Sequence, residues 1–179
     1  FIDGIKALSM QNPPMGNRIL IVTNGGGFGV IVADHCSENG LEVPPPSPQL
    51  KEKLGSKFSA FYVVNNPVDL TGSACDSDYY IALNACMIES DEYDAAIIIP
   101  LMAPQGMTEK VVDLITETMK RSGKPAVICT VGGAFTMKIK GLFEEREFPV
   151  YPSPERSARA MSMLLKRRVL QDGAVRSAI

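Results

Sequence analysis

Two short stretches have residue types and spacing suited to holding an anion. TNGGGFGV, residues 23–30, follows the apolar run NRILIV and leads into IVADHCSENG. A helix N-terminus carries roughly half a positive charge and several unpaired N–H groups. Glycine lets those groups approach an anion with no Cβ in the way. Asn24, Gly25, Gly26 and Gly27 suit that role. They equally suit a tight strand-to-helix turn with close packing, and the loop alone leaves both readings open. The second stretch, PLMAPQGMTEK, also leads from an apolar run toward a helix, with Gln105, Gly106 and Met107 near the helix start. Two glycine-bearing helix starts on one sheet edge make a shared anion the stronger expectation. Asp69, in NPVDLTG, is a carboxylate that either orients an imidazole, binds a metal, or caps its own turn through local backbone bonds.

Specific ligand fingerprints fail. A dinucleotide site needs G-x-G-x-x-G; Gly25 and Gly27 supply the first pair, but Val30 holds the third position and no acid closes the second strand. A P-loop needs Gly-Lys-Ser/Thr, and no lysine lies near the loop. A flavin phosphate loop would be rich in hydroxyls, whereas only Thr23 borders this one. The single histidine, His35, lies about two turns into the first helix after the loop, too deep to face an anion at the helix start. It is expected to be a surface or partly packed residue, not a phosphoryl carrier, which needs an exposed and oriented nitrogen. Four separated cysteines, Cys36, Cys75, Cys86 and Cys129, form no CxxC pair, so the expectation is reduced, mostly buried thiols with no metal site.

The chain has 179 residues, 45% of them hydrophobic, enough for one domain with a core. Its 18 basic and 20 acidic residues are mixed along the sequence. No basic stripe suggests nucleic acid, no apolar run approaches a membrane span, and the chemistry fits the cytoplasm.

Short apolar runs alternate with helical patterns, which predicts βαβ units. Strands are expected at Arg18–Thr23, within LEVPPPSPQL, at Val68–Leu70, and in DAAIIIPLM, PAVICTV and PVY. Helices are expected from the glycines to about Asn39, near Lys51, and after Asp76, with Tyr80, Leu83 and Met87 inward. Others should run from Thr108, with Val111, Val112, Ile115 and Met119 inward, and from Ala134 to Glu145. The last starts at Ser153, whose N-cap, Pro154, Glu155 and terminal basic residues agree on its polarity. The expected fold is α/β: an open, mostly parallel sheet with helices on both faces, flavodoxin-like. Residues 1–15 read as the end of a preceding helix and a linker, 16–170 as the domain, and 171–179 as a linker or tail. The sequence as a whole is expected to be a piece of something longer. Such sheets bind ligands beyond the carboxyl ends of their strands, where three loops, Asn24 to Gly29, Asn65 to Ser73 and Met102 to Met107, are expected to lie.

GNRILIVTNGGGFGVIVAD, then NNPVDLTG, then YPSPERSARAMSMLL resemble the succinyl-CoA-ligase-like domain of the NDP-forming acyl-CoA synthetases, the acetate–CoA ligase (ADP-forming) group. The resemblance covers about Gly16 to Arg168. It implies a role in interconverting acyl-CoA, NDP and phosphate with acid, CoA and NTP through a phosphohistidine. The chain lacks the Ser-His-Thr-Gly-like motif and any ATP-grasp segment. The resemblance therefore implies that the carrier histidine and the sites for CoA, ATP/ADP, phosphate and Mg lie on partner domains or a subunit of an oligomeric enzyme. No catalytic residue and no cofactor are assigned to this chain itself. By the resemblance, the loop at Gln105, Gly106 and Met107 and the helix from Thr108 would supply one of the helix ends that hold the phosphohistidine's phosphate, while Asn24 to Gly27 would line the same edge or support its packing; the sequence leaves open which loop touches the phosphate. Two other readings stand beside this one: a non-catalytic synthetase-like module of a protein acetyltransferase, and a free-standing nucleotide or flavin binder.

Overall fold

The structure is a computed structural model describing residues 2–176, with side chains through Gln171. Five strands, β1 (Ile19–Thr23), β2 (Val68–Asp69), β3 (Ala95–Ile99), β4 (Ala126–Cys129) and β5 (Val150–Tyr151), form one sheet in the order β2-β1-β3-β4-β5. Every pairing in it is parallel. β3 is apolar along its whole length and β1 up to its last residue, Thr23, and both are fully buried, as strands covered on both faces must be. Alternation splits the core: Leu20, Val22 and Ile98 face one layer, and Ile19, Ile21 and Ile97 the other. The first layer holds α3 (Pro48–Gly55), α4 (Asp76–Leu83), α5 (Lys110–Ser122) and α6 (Ala134–Glu145). The second holds α1 (Ile2–Met10), α2 (Gly26–Glu38) and α7 (Pro154–Arg176). The expected α/β class, with helices on both faces of an open parallel sheet, is what forms.

Several local expectations change. LEVPPPSPQL makes no strand beyond a single bridge between Arg18 and Glu42, because its prolines have no N–H to donate to a ladder. α4 turns Tyr79 inward, its hydroxyl donating to the Ile99 carbonyl at 2.8 Å, while Tyr80 is 36% exposed. α4 then passes into a π-helical turn, Asn84–Ile88, whose wider winding carries Met87 back into the core. α1 packs against α7: Ala7 is buried, Tyr151 donates to the Asp3 carbonyl at 2.9 Å, and Arg156 clamps the Asp3 carboxylate. The segment expected to be a preceding helix and linker thus contributes a helix to the second layer. α7 continues to Arg176, six residues past the 170 bound expected from sequence; residues 177–179 of the expected tail, like Phe1, lie outside the described residues.

Where β2 is too short to pair the lower half of β1, a side chain replaces it. Asn66, 7% exposed, accepts from the Ile21 N–H at 2.9 Å and donates to the carbonyls of Ile19 (2.8 Å) and Pro44 (3.0 Å). Its amide does the work of a missing strand.

The starts of β1 and β3 are joined by Asp94, which accepts from the Arg18 backbone (3.0 Å), Nε (2.9 Å) and Nη2 (2.7 Å). Burial acts to raise this carboxyl's pKa, but the bonds from Arg18 outweigh it and hold the group below its ordinary 3.8. A carboxylate with a depressed folded pKa contributes stability that is fully present above the unfolded value and lost as pH falls through the folded one. Urea unfolding at a series of pH values should therefore show wild-type stability declining below about pH 4. Asp94→Asn should be less stable at neutral pH and should show a shallower acid decline. An unchanged acid slope in the variant would remove this ion pair from the explanation.

Candidate functional site

Strand order reverses between β1 and β3, so the loops after these two strands diverge to opposite faces and leave a crevice at the carboxyl edge. Asn24 ties the two loops together. Its Nδ2 donates to the Leu101 carbonyl and its Oδ1 accepts from the Leu101 N–H, both at 2.8 Å. This amide is a bracket across the switch point, and its polar side chain is spent on protein.

α2 starts without a side-chain cap. Gly25, its N-cap, has extended backbone (φ −142°, ψ 90°), and its N–H is taken by Thr23 Oγ1 at 2.9 Å. The Gly25 carbonyl receives the N–H groups of Phe28 and Gly29. The two amides between, those of Gly26 and Gly27, donate to no acceptor among the described residues. A Cβ on Gly25 would collide with the Leu101 side chain, and one on Gly26 with Asp69 Oδ2. At Gly27 the surroundings are open, with nothing within 4 Å of a Cβ position. Close packing explains Gly25 and Gly26; it does not explain Gly27.

Asp69, the last residue of β2, caps its own turn: Oδ1 accepts from the Thr71 N–H at 2.9 Å. Oδ2 has no hydrogen-bond partner among the described residues and stands against the first turn of α2. The turn-capping role and the free oxygen coexist in one carboxylate.

The second loop is arranged differently. α5 begins at Lys110, not Thr108, with Glu109 as its N-cap. Its approach is already occupied by protein: Asp76 accepts from the Thr108 N–H at 2.8 Å and from Thr108 Oγ1 at 2.5 Å, and Lys110 N–H goes to Thr108 Oγ1 at 3.2 Å. Asp76, expected as a helix cap, serves the neighbouring loop instead; Cys75 is the N-cap of α4, paired with Asp78. Gly106 lies flat on α4's approach, where a Cβ would come within 2.7 Å of the Ala74 carbonyl. Met107 is 5% exposed and belongs to the core, its N–H bonded to Pro104. Gln105 and Gly106 are solvent-exposed. The structure thus brings Asn24–Gly27, Asp69 and Leu101 together, and places Gln105–Met107 alongside with their polar groups partly engaged.

His35 is half-exposed on α2, with Nδ1 at 2.8 Å from Glu38 Oε2, away from the sheet edge. Cys36, Cys86 and Cys129 are buried, and burial pushes their thiols up to about 12, 12 and 11. Among the described residues no group of three acidic, histidine or cysteine side chains converges as a metal site, and no helix is long and apolar enough to cross a membrane.

The sequence model of the family described as "Ligase-CoA domain" matches residues 19–160. The alpha subunits of acetate–CoA ligases [ADP-forming] I and II of Pyrococcus furiosus are each 32% identical to the chain. The matches cover 92% of this chain and 36% and 37% of those proteins. The dinucleotide-forming acetyl-coenzyme A synthetase 1 of Ca. Korarchaeum cryptofilum, solved in complex with phosphate and ADP, superposes with a TM-score of 0.86 at 29% identity. That superposition covers 99% of this chain and 38% of the other. The chain spans somewhat over a third of the length of these relatives. A model match across both layers of the sheet, with the same fold in solved relatives, decides the assignment: this chain belongs to the Ligase-CoA domain family.

Proposed function

We propose that the chain is the Ligase-CoA portion of an ADP-forming acid–CoA ligase, working in the cytoplasm with partner domains or a subunit that carry the histidine, CoA and Mg–nucleotide sites. Its contribution is to receive a phosphohistidine. The observation that carries this reading is the pairing of two unpartnered N–H groups, Gly26 and Gly27, with the free Oδ2 of Asp69 at the mouth of α2.

The physical argument runs through charge. A free phosphate dianion at this mouth would gain the helix end but face the Asp69 carboxylate. A phosphoryl group on an imidazole nitrogen meets a different situation. The other ring nitrogen, carrying its proton, donates to Asp69 and is oriented by it, while the phosphoryl oxygens accept from Gly26 and Gly27. Both charges then have partners, and the amides are fixed before the group arrives, so no reorganisation is needed. The packed crevice also shelters a labile phosphoryl group from water. Gln105–Met107 line the neighbouring wall, closing the same edge without donating to the phosphoryl group. The acid, CoA and nucleotide are handled by the rest of the enzyme, and this chain alone should not make acyl-CoA.

The test is Asp69→Asn in the full-length ligase. Loss of the orienting charge should slow phosphoenzyme formation by about 10-fold or more, with His35→Gln as a control that leaves it intact. Wild-type phosphorylation in Asp69→Asn, or loss of it in His35→Gln, contradicts the assignment.

A further inference from the structure

An apolar groove runs between α1 and α7, away from the crevice at the carboxyl edge. It encloses about 370 Å³, with Gly4, Ile5 and Leu8 on one wall and Met163 and Leu170 on the other. Gly4 is part of its floor, since a Cβ there would collide with Met163 Sδ.

The groove exists because α7 outruns the domain. From the carboxyl end of β5 it returns toward the amino edge for 23 residues, about 35 Å. Its neighbour β4 has four residues, about 13 Å. The last α7 residue buried in the second layer is Leu164. Beyond it the helix stays apolar at Val169 and Leu170, although Leu170 is 74% exposed, and α1 presents Ile2 and Ile5 in the same way, Ile5 at 52%. A helix face that meets only water is ordinarily polar, and contiguous exposed apolar surface marks an interaction site.

Charge selects the occupant. Lys166 and Arg167 also line the groove, and no acidic residue does. Lys166 has no ion-pair partner among the described residues, and Arg167 donates through Nη1 only to the Leu8 carbonyl, at 3.2 Å. The acids of α1 and of the first turn of α7 are spent, Asp3 on Arg156 and Glu155 on Arg159. A second copy docked groove to groove about a two-fold axis would set these cations against themselves.

We propose that the groove receives an amphipathic helix with an acidic flank, supplied by a partner domain or subunit of the ligase. Apolar residues at i, i+4 and i+7 of that helix fill the space over Gly4, and its carboxylates meet Lys166 and Arg167. Met163 and Leu170 are about 10 Å apart along α7, which fits two turns of such a helix. The inference rests on reading this chain as one portion of a larger enzyme, and not on the phosphohistidine site.

The experiment is zero-length carbodiimide cross-linking of the full-length ligase, with the joined peptides mapped by mass spectrometry. Lys166 should form an amide with an Asp or Glu in a segment outside these 179 residues that carries apolar residues at helical spacing. Leu170→Asp, at an exposed position that the core does not use, should cut the yield about tenfold or more by removing an apolar contact and repelling the acidic flank. Ile5→Asp should act in the same way from the other wall. No adduct at Lys166, an adduct to a second copy of this chain, an adduct to a segment without that spacing, or a yield unchanged in either variant would each overturn the proposal. Phosphorylation plays no part in the readout, so failure here leaves the phosphohistidine reading standing, and failure of Asp69→Asn to slow phosphorylation leaves this one standing.

Discussion

Gly27→Asp in the full-length ligase should lower the rate of phosphoenzyme formation by about 100-fold or more while leaving the domain as stable as wild type, or more so. The two effects separate because they have different causes. At the second position of α2, an acidic side chain complements the helix dipole, worth roughly 0.3–1 kcal/mol, and leaves the poorest helix former but proline behind. No steric cost opposes this, since nothing lies within 4 Å of a Cβ there. The same carboxylate would compete for the N–H groups that the phosphoryl oxygens need and would repel them. Gly27→Ala is the control: it should stabilise by about 0.5–1 kcal/mol and retain most activity, because the N–H is still there. Thermal unfolding and phosphorylation rates measured on both variants decide the matter. If Gly27→Asp is phosphorylated at the wild-type rate, the helix end is not a phosphoryl site. If Gly27→Ala loses as much as Gly27→Asp, bulk and not charge is responsible.

Asn66→Ala should destabilise the domain by about 3 kcal/mol, lowering Tm by roughly 6–12 °C. The side chain replaces a length of β-strand, so its removal strands the Ile21 N–H and the Ile19 carbonyl in a buried sheet, each costing about 1–3 kcal/mol. Because β1 runs on through Thr23 into the loop at Gly25, phosphorylation in the full-length enzyme should weaken too. A Tm within about 2 °C of wild type would mean that water satisfies those groups and that Asn66 is not a structural surrogate.

The fold was legible where a segment's periodicity and its end signals agreed. β1, β3, α5, α6 and the start of α7 fall close to where Ile, Val and Leu runs, Gly123, Gly133 and Ser153–Pro154 put them. The failures have physical reasons. LEVPPP has strand composition but too few amides to pair. Tyr80 was placed inward on a regular helix, and the π-helical turn after Leu83 breaks that periodicity. The docking of α1 depends on Asp3 and Lys6 reaching Tyr151 and Val150 of β5 and Arg156 of α7, contacts more than 140 residues apart that no local pattern encodes.

At the candidate site, TNGGGFGV marked a loop at the carboxyl edge but not the division of labour within it. Asn24 turned out to be a bracket, and Gly25 and Gly26 packing glycines, with Gly27 left open. The PLMAPQGMTEK loop looked equivalent in sequence, yet Asp76, more than 30 residues away, takes up the approach to its helix. Only the paired geometry distinguishes the two starts.

The central claim is that the amides of Gly26 and Gly27, with Asp69 behind them, hold a phosphoryl group delivered on a histidine from elsewhere. The most direct measurement is a crystal structure of the full-length enzyme trapped as the phosphoenzyme. It should show phosphoryl oxygens about 2.7–3.1 Å from both amide nitrogens, with the second imidazole nitrogen against Asp69 Oδ2. A phosphohistidine that leaves those two amides and that carboxylate unengaged, in every conformation the enzyme adopts, would contradict it.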